Sequence, residues 1–176
     1  MIKKAILPVA GMGTRFLPVT KSSPKEMLPI IDKPVIQYIV EEAVDSGIEE
    51  IIFVTGKSKR AIEDYFDSDQ ELIRVLQAKK NRENDLKELK RLENLAKITY
   101  VRQPEALGDG HAILCAEHCI AEGEDFAVLF GDVIIDHDIP ALAQMMDIYN
   151  TQKSSVIGVQ EFDLSVISNY GVIAYE

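Results

Sequence analysis

The stretch AILPVAGMGTRFLPVTKSSPKEMLP, residues 5–29, decides how the rest of the chain is read. Its first five residues are apolar and strand-forming around Pro8, and they run into Gly11, Met12, Gly13, Thr14 and Arg15. A buried strand that empties into a glycine-rich turn brings backbone N–H groups to the carboxyl end of a sheet, where no Cβ holds an anion away. That is the outline of a phosphate cradle. Arg15 supplies a rigid fork of donors suited to phosphate oxygens, and Lys25 adds a point charge from a second loop.

Two better-known glycine motifs fail on their own chemistry. The dinucleotide fingerprint needs a third glycine where the helix packs on the strand, and Phe16 occupies that position. The one Gly-Lys-Ser in the chain, at Gly56, Lys57 and Ser58, has Ile51 where a Walker loop needs its first glycine. An ordinary strand-to-helix turn remains the plain alternative for residues 10–15 considered alone.

Outward from this stretch the chain alternates strand and helix. Residues 2–9 read as a first strand, continuous in hydrophobicity because both faces are buried. Pro34 opens a helix to about Ser46, with Val35, Ile36, Ile39, Val40 and Ala43 on one face and Gly47 as its stop. Residues 50–55 are a second parallel strand, which completes a right-handed crossover unit. Ser58 caps a short helix ending near Phe66. Residues 70–97 change character: helix formers without Gly or Pro, with Glu83–Lys87 and Glu93–Lys97 at i, i+4 and a narrow leucine stripe, read as a solvated helical excursion at the sheet edge. Residues 98–102 form a third strand, a helix begins near His111, residues 126–130 form a fourth strand, residues 139–150 are helical, residues 155–160 are a strand, and residues 170–175 begin another. This rhythm predicts an α/β fold: a three-layer sandwich with a mainly parallel central sheet, built as one domain over residues 1–176.

Composition sets limits on partners. The chain has 176 residues, 47% of them apolar, enough for a core, and a net charge of −10 argues against nucleic acid or an anionic membrane as partner. Two cysteines, Cys115 and Cys119, and an opening segment whose apolar run is too short for a leader point to the cytoplasm. Cys115, His118 and Cys119 fall at i, i+3, i+4 but have no second pair of ligands to close a zinc site. Asp132, Asp136 and Asp138 lack the glycine and terminal Glu of a calcium loop. No G-x-S-x-G elbow is present.

The run PKEMLPIIDKPVIQYIVEEAVDSGIEEIIFVTG, residues 24–56, taken with GMGTR, closely resembles the nucleotidyltransferases that make nucleoside diphosphate sugars. KEMLP followed by DKPVIQY is most similar to the bacterial uridylyltransferases that act on glucose 1-phosphate; thymidylyltransferase relatives usually carry Gln-Leu-Leu-Pro at residues 26–29. The resemblance implies a Rossmann-like fold that joins UTP and glucose 1-phosphate into UDP-glucose and pyrophosphate with Mg²⁺, and implies a homo-oligomer. It implies that Ala10, Gly11, Gly13, Thr14, Arg15 and Lys25 hold the phosphates, that Asp132 is one of two metal-binding aspartates, that Gln103 and Gly108 read the base, and that Gly171 of Tyr170-Gly171-Val172 touches the sugar. Asp109 stands where relatives often have an apolar residue. In this family a Glu-Lys-Pro segment and a second metal-binding Asp follow beyond the position of Glu176, so this chain alone is expected to turn over slowly or not at all. A relative using another base, such as dTTP, and a non-catalytic nucleotide-binding module are the alternatives.

Overall fold

A computed structural model describes residues 1–165 and 167–174. Four strands, β1 (Lys4–Pro8), β4 (Glu50–Thr55), β5 (Lys97–Arg102) and β6 (Ala127–Val128), form a parallel sheet in the order β5-β4-β1-β6. A two-residue antiparallel ladder, β2 (Pro29–Ile30) with β3 (Lys33–Pro34), stands apart from it. The predicted parallel sandwich is therefore observed. The register runs Ala5↔Ile51 and Leu7↔Phe53 between β1 and β4, and Phe53↔Tyr100 between β4 and β5.

The two central strands read as continuous apolar runs because helices cover both sheet faces. Alternate residues point to opposite faces. Ala5, Leu7, Ile51 and Phe53 join a core with Ile36, Ile39 and Val40 of α1 (Val35–Asp45), Ile62 of α2 (Arg60–Phe66) and Met146 of α6 (Ala141–Gln152). Ile6, Ile52 and Val54 face the other way, against Ala112 of α5 (Asp109–Cys115) and Ala116. Phe53 is fully buried and stacks on Phe66 and Tyr100 at centroid distances of 5.5 and 5.8 Å.

Helix α1 ends where Gly47 was expected to stop it. Gly47 has φ 92°, its N–H donates to Val44 O at 2.9 Å, and Ile48 N–H donates to Ala43 O at 3.1 Å. This is the paired-bond glycine cap that a left-handed residue permits, with the buried Ile48 closing it on the apolar side.

Several expectations are corrected. Ser58 does not cap α2: it has φ 71°, and Lys59 is the residue before the helix. The excursion is two helices, α3 (Gln70–Gln77) and α4 (Glu83–Glu93), parted at Asn81, which takes φ 60° as asparagine tolerates. It is also anchored more firmly than a solvated stripe implies. Ile73 and Leu92 are buried, the Asp69 carboxylate accepts from Leu72 N–H at 2.9 Å, and Arg91 bridges Glu88 at 2.7 Å and Glu41 of α1 at 2.5 Å.

The fourth strand keeps only two residues in its ladder, with Leu129 N–H adding a bond to Ile6 O at 3.1 Å. Residues 155–160 and 170–174 join no ladder, and Tyr175 lies outside the described residues. A strand exists only against a partner, and among the described residues β6 has none on its outer edge. Val133, Ile135, Ile139, Ile157 and Val159, all later in the chain, are each more than half exposed. No helix among the described residues is long and apolar enough to cross a membrane.

The Arg91–Glu41 contact carries a first prediction. Burial pushes the Glu41 carboxyl up, but hydrogen bonds from Arg91, Gln37 and Lys33 outweigh it and hold the group below the usual carboxylate range. A depressed folded pKa contributes stability above the unfolded value, ~4.3, and loses it as pH falls through the lower folded value. Arg91→Ala is expected to cost about 1 kcal/mol at pH 7, a fall of ~2–4 °C in melting temperature, and the gap to the parent chain should narrow in melts below about pH 4.

Candidate functional site

Strand β1 has β4 on one side and β6 on the other, so the chain order reverses beside β1. In open parallel sheets the crevice beyond the carboxyl ends at such a reversal is where ligands settle. The glycine stretch leaves β1 at this point. Val9 N–H still bonds Val54 O at 3.0 Å, which keeps the strand in register up to Ala10.

Gly13 holds φ 64°, and a Cβ there would stand 3.2 Å from both Lys25 Cβ and Thr20 Cγ2. Thr20 Oγ1 donates to Gly13 O at 2.8 Å and pins the turn. A side chain would therefore be both strained and crowded, and the backbone stays uncovered. Residues Thr14–Phe16 form one short 3-10 turn in which Thr14 and Arg15 are exposed. Arg15 makes no hydrogen bond or ion pair among the described residues, so its guanidinium is available to an anion.

Lys25 opens another 3-10 turn, Lys25–Met27, held by Met27 N–H to Pro24 O at 3.0 Å and by Leu28 N–H to Lys25 O at 3.1 Å. Its ammonium lies 2.5 Å from Oδ2 of Asp132, which follows β6. Gly13 touches Lys25 and Lys25 reaches Asp132, so glycine turn, cation and carboxylate stand on one side of the sheet. Asp132 is 44% exposed in its side chain, enough to take a ligand from solvent.

The base-reading pair expected from the sequence is also together. Gln103 is buried, its backbone N–H bonds Thr55 O at 2.8 Å, and its Nε2 donates to Gly108 O at 3.1 Å and to His111 Nδ1 at 3.0 Å. With both amide hydrogens committed, Oε1 is the atom left to accept from a ligand. Ala10 and Gly11 on one wall and Gln103, Ala106, Gly108 and Asp109 on the other enclose a cleft of about 170 Å³. The His111 contact was not legible in the sequence, although its place one turn into α5 was the available signal. Gly171 is not among the residues lining this cleft; it is exposed, with nothing within 4 Å of where its Cβ would stand.

Cys115 does not share a helix with His118 and Cys119 as their spacing suggested. Helix α5 stops at Cys115, Cys119 lies in a separate turn, Glu117–Cys119, and Cys115 Sγ contacts His111 Nε2 at 3.9 Å. For magnesium the described residues contain no cluster of three or more acidic, His or Cys groups. Asp132 nevertheless suits an ion that arrives on a substrate, since magnesium commonly takes one or two carboxylates and completes its shell with phosphate oxygens and water.

The family model described as nucleotidyl transferase matches residues 4–176. The chain is 55% identical over 172 residues to the UTP–glucose-1-phosphate uridylyltransferase YngB of Bacillus subtilis, covering 98% of this chain and 57% of that protein. A UTP–glucose-1-phosphate uridylyltransferase of Staphylococcus epidermidis is 58% identical, at 98% and 59% coverage. Among solved structures, apo UDP-glucose pyrophosphorylase superposes with a TM-score of 0.85 at 47% identity, covering 98% of this chain and 63% of that one. UDP-glucose pyrophosphorylase complexed with UDP-glucose gives 0.83 at 46% identity, covering 98% and 62%. The chain thus spans a little under three-fifths of the length of the curated relatives it matches.

Proposed function

Because this chain belongs to the nucleotidyl transferase family, we propose that it forms the nucleotide-binding part of an enzyme that joins UTP and glucose 1-phosphate into UDP-glucose and pyrophosphate. The observation that carries this reading is the Gly13–Lys25–Asp132 alignment beside a cleft whose wall is Gln103 and Gly108. A triphosphate over the glycine turn has its base within reach of the cleft and its charge beside two cations.

In the proposed reaction a phosphate oxygen of the sugar attacks the α-phosphorus, a new P–O bond forms, and the bridge to the β-phosphate breaks, releasing pyrophosphate. The attacking oxygen is already ionised, so no general base is required. The task is to hold two mutually repelling phosphates in line. Amides around Gly11 and Gly13, the Arg15 fork and the Lys25 ammonium hold the triphosphate and offset its charge. Asp132, together with the substrate's own oxygens, would hold a magnesium ion, which would supply further neutralisation of the α-phosphate. Gln103 Oε1 accepts the ring N–H of uracil while the backbone at Gly108 lies against the flat ring.

The test is a melting series with UTP, dTTP and CTP in the presence of Mg²⁺. A ligand bound to the native state raises the melting temperature by mass action. UTP is expected to give the largest rise, and Gln103→Leu is expected to abolish the difference between UTP and CTP, whose ring nitrogen carries no hydrogen to donate to Oε1, while leaving a phosphate-dependent rise. A larger rise with dTTP would move the assignment to the other base, and no rise with any triphosphate would sink it.

A further inference from the structure

Next in the chain to Lys25, Glu26 of the KEMLP run makes a second ion pair, with Lys59, which belongs to no motif. Lys59 Nζ donates to Glu26 Oε2 at 2.8 Å, and the side chains are 5% and 1% exposed. Of the ion pairs among the described residues it is the most deeply buried. It joins the turn Lys25–Met27 to the loop that precedes α2. The turn meets the β6 side as well: a Cβ at Gly131 would stand 3.3 Å from Glu26 Cγ. Glu26 is thus gripped between Lys59 and the glycine that carries Asp132, and Lys25 is its neighbour in the chain.

We propose that Glu26 and Lys59 are positioning residues for the nucleotide site, setting the depth and orientation of the turn so that Lys25 faces Asp132. The inference rests on the reading of that site as a triphosphate site. Burying two charges is costly and is no general source of stability, since apolar residues of similar size often serve as well. What a buried pair offers is direction: the carboxylate is satisfied in one orientation of the turn. A slack turn would let Lys25 drift, and supporting contacts of this kind are typically worth 10–100-fold in function around a metal site.

The experiment combines two readouts on the 176-residue chain. The first is affinity for UTP with Mg²⁺ and for uridine alone, by calorimetry, in the parent chain, in Glu26→Gln, and in the double variant Glu26→Gln with Lys59→Gln. The second needs no nucleotide: zero-length carbodiimide coupling of Lys25 to Asp132, mapped by peptide mass spectrometry. UTP affinity is expected to fall about 10-fold in both variants with uridine affinity unchanged, and the Lys25–Asp132 coupling yield to fall alongside it. If the single variant fails to fold, the double variant, which leaves no unpaired buried charge, decides. Wild-type UTP affinity and coupling yield in the double variant overturn the proposal, as does an equal loss for UTP and uridine. Should the parent chain bind no UTP, the site reading falls, and unchanged coupling yields would overturn the positioning role separately.

Discussion

Gly131→Ala is expected to lower the melting temperature by roughly 6–12 °C and to weaken UTP binding in the same protein. A Cβ at this position would stand 2.7 Å from Val9 Cγ1, 3.3 Å from Glu26 Cγ and 3.4 Å from Ile36 Cδ1. Val9 and Ile36 are fully buried, so neither has space to yield, and Val9 is β-branched with few rotamers to adopt. Overpacking of a tight core costs about 1–3 kcal/mol, and the top of that range over a chain of this size gives the stated shift. The displaced groups are the ones that matter to the site: Val9 leads into the glycine turn, Glu26 lies under Lys25, and the new residue precedes Asp132. A melt within 2 °C of the parent, with UTP affinity unchanged, would show that the packing at Gly131 does not position the site.

That dependence on one glycine explains which parts of the molecule can be read from the chain. Strands β1 and β4 were legible because burial on both faces writes a nearly uninterrupted apolar run, and the Gly47 stop was legible because a left-handed cap selects its residue chemically. Residues 155–160 carry the same apolar signal, yet a ladder also needs a partner, which no local pattern encodes. Ser58 suited a cap by type and failed because its backbone is left-handed. The break at Asn81 had a signal in the asparagine itself, outweighed by the helix formers around it. Gly13, Lys25 and Asp132 could be singled out because exposed amides, a cation and a strand-end carboxylate are polyphosphate chemistry. The pairing of Glu26 with Lys59 could not, although Glu26 stands in the KEMLP run, since a Lys or Glu in a sequence reads as solvated surface, and only the fold brings two residues 33 apart into one buried pair.

Lys25→Met is expected to weaken MgUTP binding by about 10–100-fold while leaving uridine affinity unchanged. A hydrogen bond to a charged group contributes ~1.5–3 kcal/mol, and each 1.4 kcal/mol is tenfold in affinity. Methionine keeps most of the apolar stem of lysine, so the packing around Gly13 survives, and what is removed is the proposed phosphate contact together with the ion pair to Asp132. The ion pair with Asp132 is partly exposed, at 22% and 44% for the two side chains, and its loss should cost no more than about 1 kcal/mol of stability. Loss of fold therefore cannot account for the drop in affinity. Lys25→Arg should recover part of it, because the charge remains but a planar fork replaces a point donor. The drop should also shrink as salt is raised toward 1 M, where the screening length contracts to ~3 Å and the parent loses much of the same attraction. If uridine and MgUTP weaken together, Lys25 supports the cleft rather than the phosphates. If neither changes, the triphosphate lies elsewhere, and the alignment of glycine turn, lysine and aspartate is not its binding site.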